Sequence, residues 1–163
     1  MDRVDLLNVL KAFTLESTGE ILMPTSVQKG DGEPELRAAR VHLMRLPDSR
    51  AAEKKAPYII HQLITAKDQQ EKGQRPKSTA QVRSIFCVYS SNEEEGALAL
   101  LNLMERLRID LLRKCVLADR YELDLETGLE GLIYPNDSAP YYMGEMVSMW
   151  KLPAVEREVR HWL

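Results

Sequence analysis

The stretch AQVRSIFCVYSSNEEEGALALLNLMERLRIDLL, residues 80–112, decides the fold because it changes period within a single run. Val82, Ser84, Phe86 and Val88 fall on one side of an alternating segment, and Arg83, Ile85, Cys87 and Tyr89 on the other. Beyond Ser84 both sides are largely apolar, the pattern of a strand flanked by neighbours in a sheet. Ser91 or Asn92 then offers a helix cap. Glu93, Glu94 and Glu95 place carboxylates in the first turn, where they stabilise the positive end of the helix dipole.

At about 100° per residue, Ala97, Leu100, Leu101, Met104, Leu107, Leu111 and Leu112 share one broad arc, opposite Asn102, Arg106, Asp110 and Arg113. The spacing predicts the longest helix of the chain, laid by that arc on a sheet or a partner. Arg108 falls inside the apolar arc. Either its stem packs while the guanidinium reaches the helix edge, or it pairs with a carboxylate on the sheet or on a neighbouring subunit.

Upstream, Val4, Leu7 and Leu10 predict a short amphipathic helix over about residues 3–15, capped by Asp2. RAARVHLMRLP, residues 37–47, reads as a strand, with a helical reading open for AARVHLM, residues 38–44. Ala56-Pro57-Tyr58 opens a second strand rich in β-branched residues, and a proline at the first position of a strand costs no interior ladder bond. Residues 66–79 are polar and carry Lys67, Lys72, Arg75 and Lys77, which predicts a mobile loop or a protruding arm.

Downstream, Arg120–Leu125 and Tyr141–Leu152 alternate as strands, with Gly144 marking a bulge or a close backbone approach. Residues 154–163 read as a short helix or tail ending in His161-Trp162-Leu163. The expected fold is a single α+β domain over 1–163. A mostly antiparallel sheet of about four to five strands packs against a long central helix and a shorter amino-terminal helix.

A composition of 44% hydrophobic and 29% charged residues is that of a globular chain. A net charge of -3 gives no overall attraction to nucleic acid or an anionic membrane, so any such contact needs a local patch. The start lacks the basic-then-apolar layout of a secretion signal, and no apolar run approaches a membrane span. The expectation is an intracellular, soluble protein with reduced Cys87 and Cys115.

Chemistry is sparse. His42, His61 and His161 stand far apart, no CxxC pair or glycine-rich phosphate loop occurs, and no serine sits in an elbow motif. No catalytic residue, metal or cofactor is assigned, and an enzyme is not expected. A binding module is an alternative, with the basic loop, Tyr58, Tyr141, Tyr142 and Trp150 lining a site for a small molecule or nucleic acid.

Pro57-Tyr58-Ile59-Ile60, then Phe86-Cys87-Val88-Tyr89-Ser90, then Gly96 with Leu100 to Arg108, and finally Pro140 to Met146 leading to Trp150 and Pro153, occur in a suggestive order. Taken together, this order resembles the tail terminator (tail completion) proteins of long-tailed bacteriophages and prophages. The likeness covers roughly the last two-thirds of the chain as an order of motifs.

The resemblance implies a structural virion assembly protein without catalytic residues, forming a homo-oligomeric ring, commonly a hexamer. That ring ends the tail tube and joins it to the head connector, which makes the tube protein and the connector protein its partners. A different head-tail joining or neck protein is an alternative. DNA would be met only by passage through the lumen, and no membrane would be involved. The implied location is the host cytoplasm during assembly, then the virion tail. Lys67, Lys72, Arg75, Lys77, Arg108 and Trp162 are the expected interface or lumen residues.

Overall fold

A computed structural model describes residues 2–47, 55–135 and 139–158. In chain order it contains α1 (Arg3–Thr18), β1 (Met23–Gln28), β2 (Pro34–Arg37), β3 (Arg40–Leu43), β4 (Tyr58–Gln69) and β5 (Lys77–Tyr89). These are followed by α2 (Glu93–Lys114), β6 (Val116–Leu117), β7 (Tyr121–Leu123), β8 (Glu130–Ile133) and β9 (Tyr141–Leu152).

The main sheet has seven strands in the order β3-β4-β5-β9-β7-β6, with β8 also paired to β9. It curls into a half-barrel, and 41% of the described residues are strand, so the sheet rather than a central helix sets the architecture. This corrects the expected mostly antiparallel sheet of about four to five strands packed against a long central helix and a shorter amino-terminal helix. The sheet is also mixed, because β3 runs parallel to β4. β1 and β2 form a separate two-stranded ribbon.

The physical reason lies in β9. Its one edge pairs with β5 over the whole run from Tyr141 to Leu152. On its other edge Trp150 and Lys151 pair with β7, while Gly144 to Val147 pair with β8. A single long strand thus recruits two short ones, β7, which alternates, and β8, which has no strong pattern of its own. Long twisted strands cannot stay flat, and the accumulated twist curls the sheet.

One face of the sheet carries both helices. Leu6 and Leu10 of α1 and Leu100, Leu103, Leu107 and Leu111 of α2 are buried with Ile59, Val82, Phe86, Val88, Tyr121 and Trp150 in one continuous cluster. Asn92 caps α2, its side chain accepting from the backbone N–H of Glu95 at 3.1 Å. A Cβ on Gly144 would lie 2.9 Å from Sδ of Met104 and 3.0 Å from the carbonyl oxygen of Leu132, so α2 and β8 meet β9 where only glycine fits. No helix among the described residues is long and apolar enough to cross a membrane. Residues 153–158 have no regular structure.

Candidate functional site

Among the described residues, no helix lies over the second face of the sheet. Register places Arg83 beside Val147, Ile85 beside Glu145, Cys87 beside Met143 and Tyr89 beside Tyr141. β4 adds Tyr58 and Ile60 next to Cys87 and Ile85. The buried cluster on this face, Ala56, Tyr58, Ile60 and Cys87, is closed only by half-buried neighbours that include Ile85, Tyr89, Tyr141 and Met143. The rings of Tyr89 and Tyr141 stand 5.5 Å apart at 57°. Toward the middle of the face the residues turn polar. There the Tyr134 phenol is pushed up, chiefly by burial and then by the Glu145 carboxylate.

At one end the face runs into a hairpin arm. β4 and β5 stay paired past the core, with Lys67 opposite Thr79 and Gln69 opposite Lys77. The polar stretch 66–79 is therefore mostly ladder, closed by a tip at residues 70–76 in which Gly73 takes φ 77°. Lys67, Lys72, Arg75 and Lys77 are all exposed. Lys67 and Lys77 lie on the same side as the open sheet face, and Lys151, opposite Thr79, extends that basic end.

The arm is anchored at its root by a residue that sequence reasoning passed over. Arg3 Nη2 donates to Asp68 Oδ2 at 3.0 Å, Ser78 Oγ at 3.3 Å and the Thr79 carbonyl at 3.3 Å. The hydrogen bonds from Ser78 and then Arg3 hold the Asp68 carboxyl below the usual range. The same turn of α1 reaches the opposite side of the sheet. There the Tyr121 hydroxyl donates to Asp5 Oδ2, and Arg120 Nη2 joins that oxygen at 2.8 Å. Beside Arg3 an open groove of about 400 Å³ runs between Asp68, Ser78, Leu152 and Val155.

Arg108 does not reach the sheet. Its Nε and Nη2 donate to the two carboxylate oxygens of Glu105 at 2.9 and 2.8 Å, within α2 and partly exposed. Trp162 and His161 lie outside the described residues. The aromatic residues of the binding-module reading do not converge. Trp150 is buried on the helix-bearing face with Nε1 donating to Ser148 Oγ at 2.9 Å, whereas Tyr58 and Tyr141 belong to the open face. His42 and His61 occupy neighbouring strands but are one position out of register, His42 beside Ile60 and His61 beside Leu43.

One constellation resembles a catalytic triad. His61 Nε2 lies 2.8 Å from Thr14 Oγ1, and its Nδ1 lies 2.7 Å from Ser84 Oγ. Thr14 already donates to the Leu10 carbonyl at 2.8 Å, so its oxygen accepts from Nε2–H and Ser84 donates to Nδ1. Thr14 and His61 are wholly buried, and burial pushes the imidazole down to about 3. A base with no path to solvent or substrate performs no turnover, and the group is a polar clasp between α1 and the sheet. Ser84 stood among apolar residues on the inward side of its strand, and that was the only trace of the clasp in the sequence.

Among the described residues no three His, Cys, Asp or Glu side chains are placed to hold a metal ion. Cys87 and Cys115 are not joined in a disulfide. No family model matches the chain, and no curated protein matches it.

Proposed function

We propose that the chain is a structural virion assembly protein of a phage or prophage, a tail terminator. It forms a homo-oligomeric ring, a hexamer by the resemblance, that ends the tail tube and joins it to the head connector. The observation that carries this reading is a sheet face that no helix among the described residues covers, with half-buried Ile85, Met143, Val147 and Met149 upon it, running into a basic arm. Half-buried aliphatic residues on an open face gain by association, and they offer nothing to a reaction. The order of motifs around Pro57, Phe86, Gly96 and Pro140 supports the choice of family.

Repeated around a ring, Lys67, Lys72, Arg75 and Lys77 would set a positive rim that meets passing DNA through its phosphates. In this reading the protein works in the host cytoplasm during assembly and then in the virion tail. Negative-stain microscopy and native mass spectrometry of the chain, with and without its tube protein, test the proposal. Rings seated on tube ends of uniform length are expected. Tubes that grow without limit in its presence, with no ring on their ends, would overturn it. Binding to the connector but not to the tube would indicate another neck protein.

A further inference from the structure

α2 is apolar on two sides. Leu100, Leu103, Met104, Leu107 and Leu111 are buried, whereas Leu98, Leu101, Ile109 and Leu112 are 58, 43, 37 and 37% exposed. At about 100° per residue those four fall within a stripe roughly 80° wide on the side of the helix away from the core. Glu105 lies in the middle of the stripe and Arg108 at its border, joined as the bidentate pair described above. A solvated helix face needs no aliphatic row, and nothing in the described residues covers this one.

Four residues along the stripe and its border read the same from either end, while Leu98 and Ile109 lie outside that symmetry. Leu101, Glu105, Arg108 and Leu112 are spaced by four, three and four residues. We infer that the stripe docks on a second copy of itself, with the two α2 helices antiparallel about a two-fold axis between residues 106 and 107. That axis sets Leu101 against the partner's Leu112 and Glu105 against the partner's Arg108, each contact occurring twice. A parallel arrangement would oppose glutamate to glutamate and arginine to arginine, so charge selects the antiparallel one. The pair within one helix uses only Nε and Nη2 of Arg108, and a guanidinium has further N–H donors for the second carboxylate.

This contact is isologous and closes at two copies, unlike the heterologous contacts that build a ring. It therefore goes beyond the proposed function and does not rest on it. A single helix pair buries less than the roughly 800 Å² per partner of a standard interface, so a weak dimer is expected, with a dissociation constant in roughly the micromolar range.

Sedimentation velocity on the full chain over roughly 1–200 μM tests it. The wild type should show a monomer–dimer equilibrium. L101E, E105R and R108E should each weaken that equilibrium by about tenfold or more, since each places repulsion or an unpaired charge at the seam. An equimolar mixture of E105R and R108E should recover dimers, because both charge pairs across the seam are then opposite in sign. A merely structural role for the two residues gives no recovery on mixing. A wild type that stays monomeric, variants that associate as the wild type does, or a mixture that fails to recover would overturn the inference. Ring species in the wild type and in all three variants, with no dimer in the wild type, leave the ring reading standing and remove this one.

Discussion

The imidazole of His61 donates through Nε2 to the hydroxyl oxygen of Thr14, 2.8 Å away, and this bond ties α1 to β4 in the middle of the core. Because the Thr14 proton is committed to Leu10, the histidine is held as its neutral Nε2–H tautomer. T14V would leave that N–H buried without an acceptor, at a cost of about 1–3 kcal/mol. Urea titration of T14V and S84A against the wild type at neutral pH would measure it, and an unchanged midpoint would show that the clasp contributes nothing.

The same histidine makes stability depend on pH. Its value falls from 6.5 in the unfolded chain to about 3 in the fold, so above 6.5 both states are neutral and nothing changes. Below 6.5 the unfolded chain takes up a proton that the fold refuses, and stability falls until about pH 3, in total by on the order of 4 kcal/mol. His42, lowered mainly by desolvation, acts in the same direction. Lowered carboxyls such as Asp124 lose their contribution only at lower pH. H61Q should therefore flatten the loss of stability between about pH 6.5 and 5 that the wild type shows in urea titrations.

Gly144 is a packing requirement. G144A drives a methyl group against Met104 and the Leu132 carbonyl and should destabilise the fold by about 1–3 kcal/mol. Adding M104A should not rescue it fully, since the backbone oxygen of Leu132 remains in place. A fully restored melting temperature in the double variant would contradict the geometry.

Arg3 holds the arm at its root, while no hydrogen bond or ion pair among the described residues involves the side chains of Lys72 or Arg75 near the tip. R3A should speed proteolytic nicking and amide exchange over residues 66–79 without unfolding the core. K72E with R75E should leave the melting temperature within about a degree of the wild type, since exposed charges contribute little. If the proposed function holds, any loss of tail completion in that variant would come from the surface and not from the fold.

The first turn of α1 is fastened on its other side by Asp5. Hydrogen bonds from Tyr121 and then Arg120 hold its carboxyl below the usual range, so this contribution is present at neutral pH and lost as acid protonates Asp5. Y121F and D5N should raise amide exchange at the start of α1. In D5N the protection of those amides, relative to their intrinsic exchange rate, should no longer fall in acid, and a fall equal to the wild type's would count against the contact.

Much of the local structure was legible because period survives in short windows. The faces of β5 follow from the alternation of Val82, Phe86 and Val88 with Ile85 and Cys87, and β5 does lie between two neighbours. The start of α2 follows from Asn92 and its three glutamates. The buried side of α2 was read less well. Leu101 and Leu112 belonged to the expected arc but are exposed, and Leu103 is fully buried. The apolar residues of α2 go round more of the helix than the sheet and α1 can cover, so the neighbours choose which of them are buried.

What the sequence by itself determined, then, is where strands and helices can form and which residues alternate together, since both depend on neighbours a few positions apart. The tertiary structure alone decided that β3 runs parallel to β4, that β8 and β7 share one edge of β9, and that His61 falls between Thr14 and Ser84. Those pairings join residues far apart in the chain, and hydrogen bonding along an edge is nearly indifferent to side chain. Their partners are fixed only when the long strands β4, β5 and β9 have paired and curled, leaving one face covered by helices and the other open.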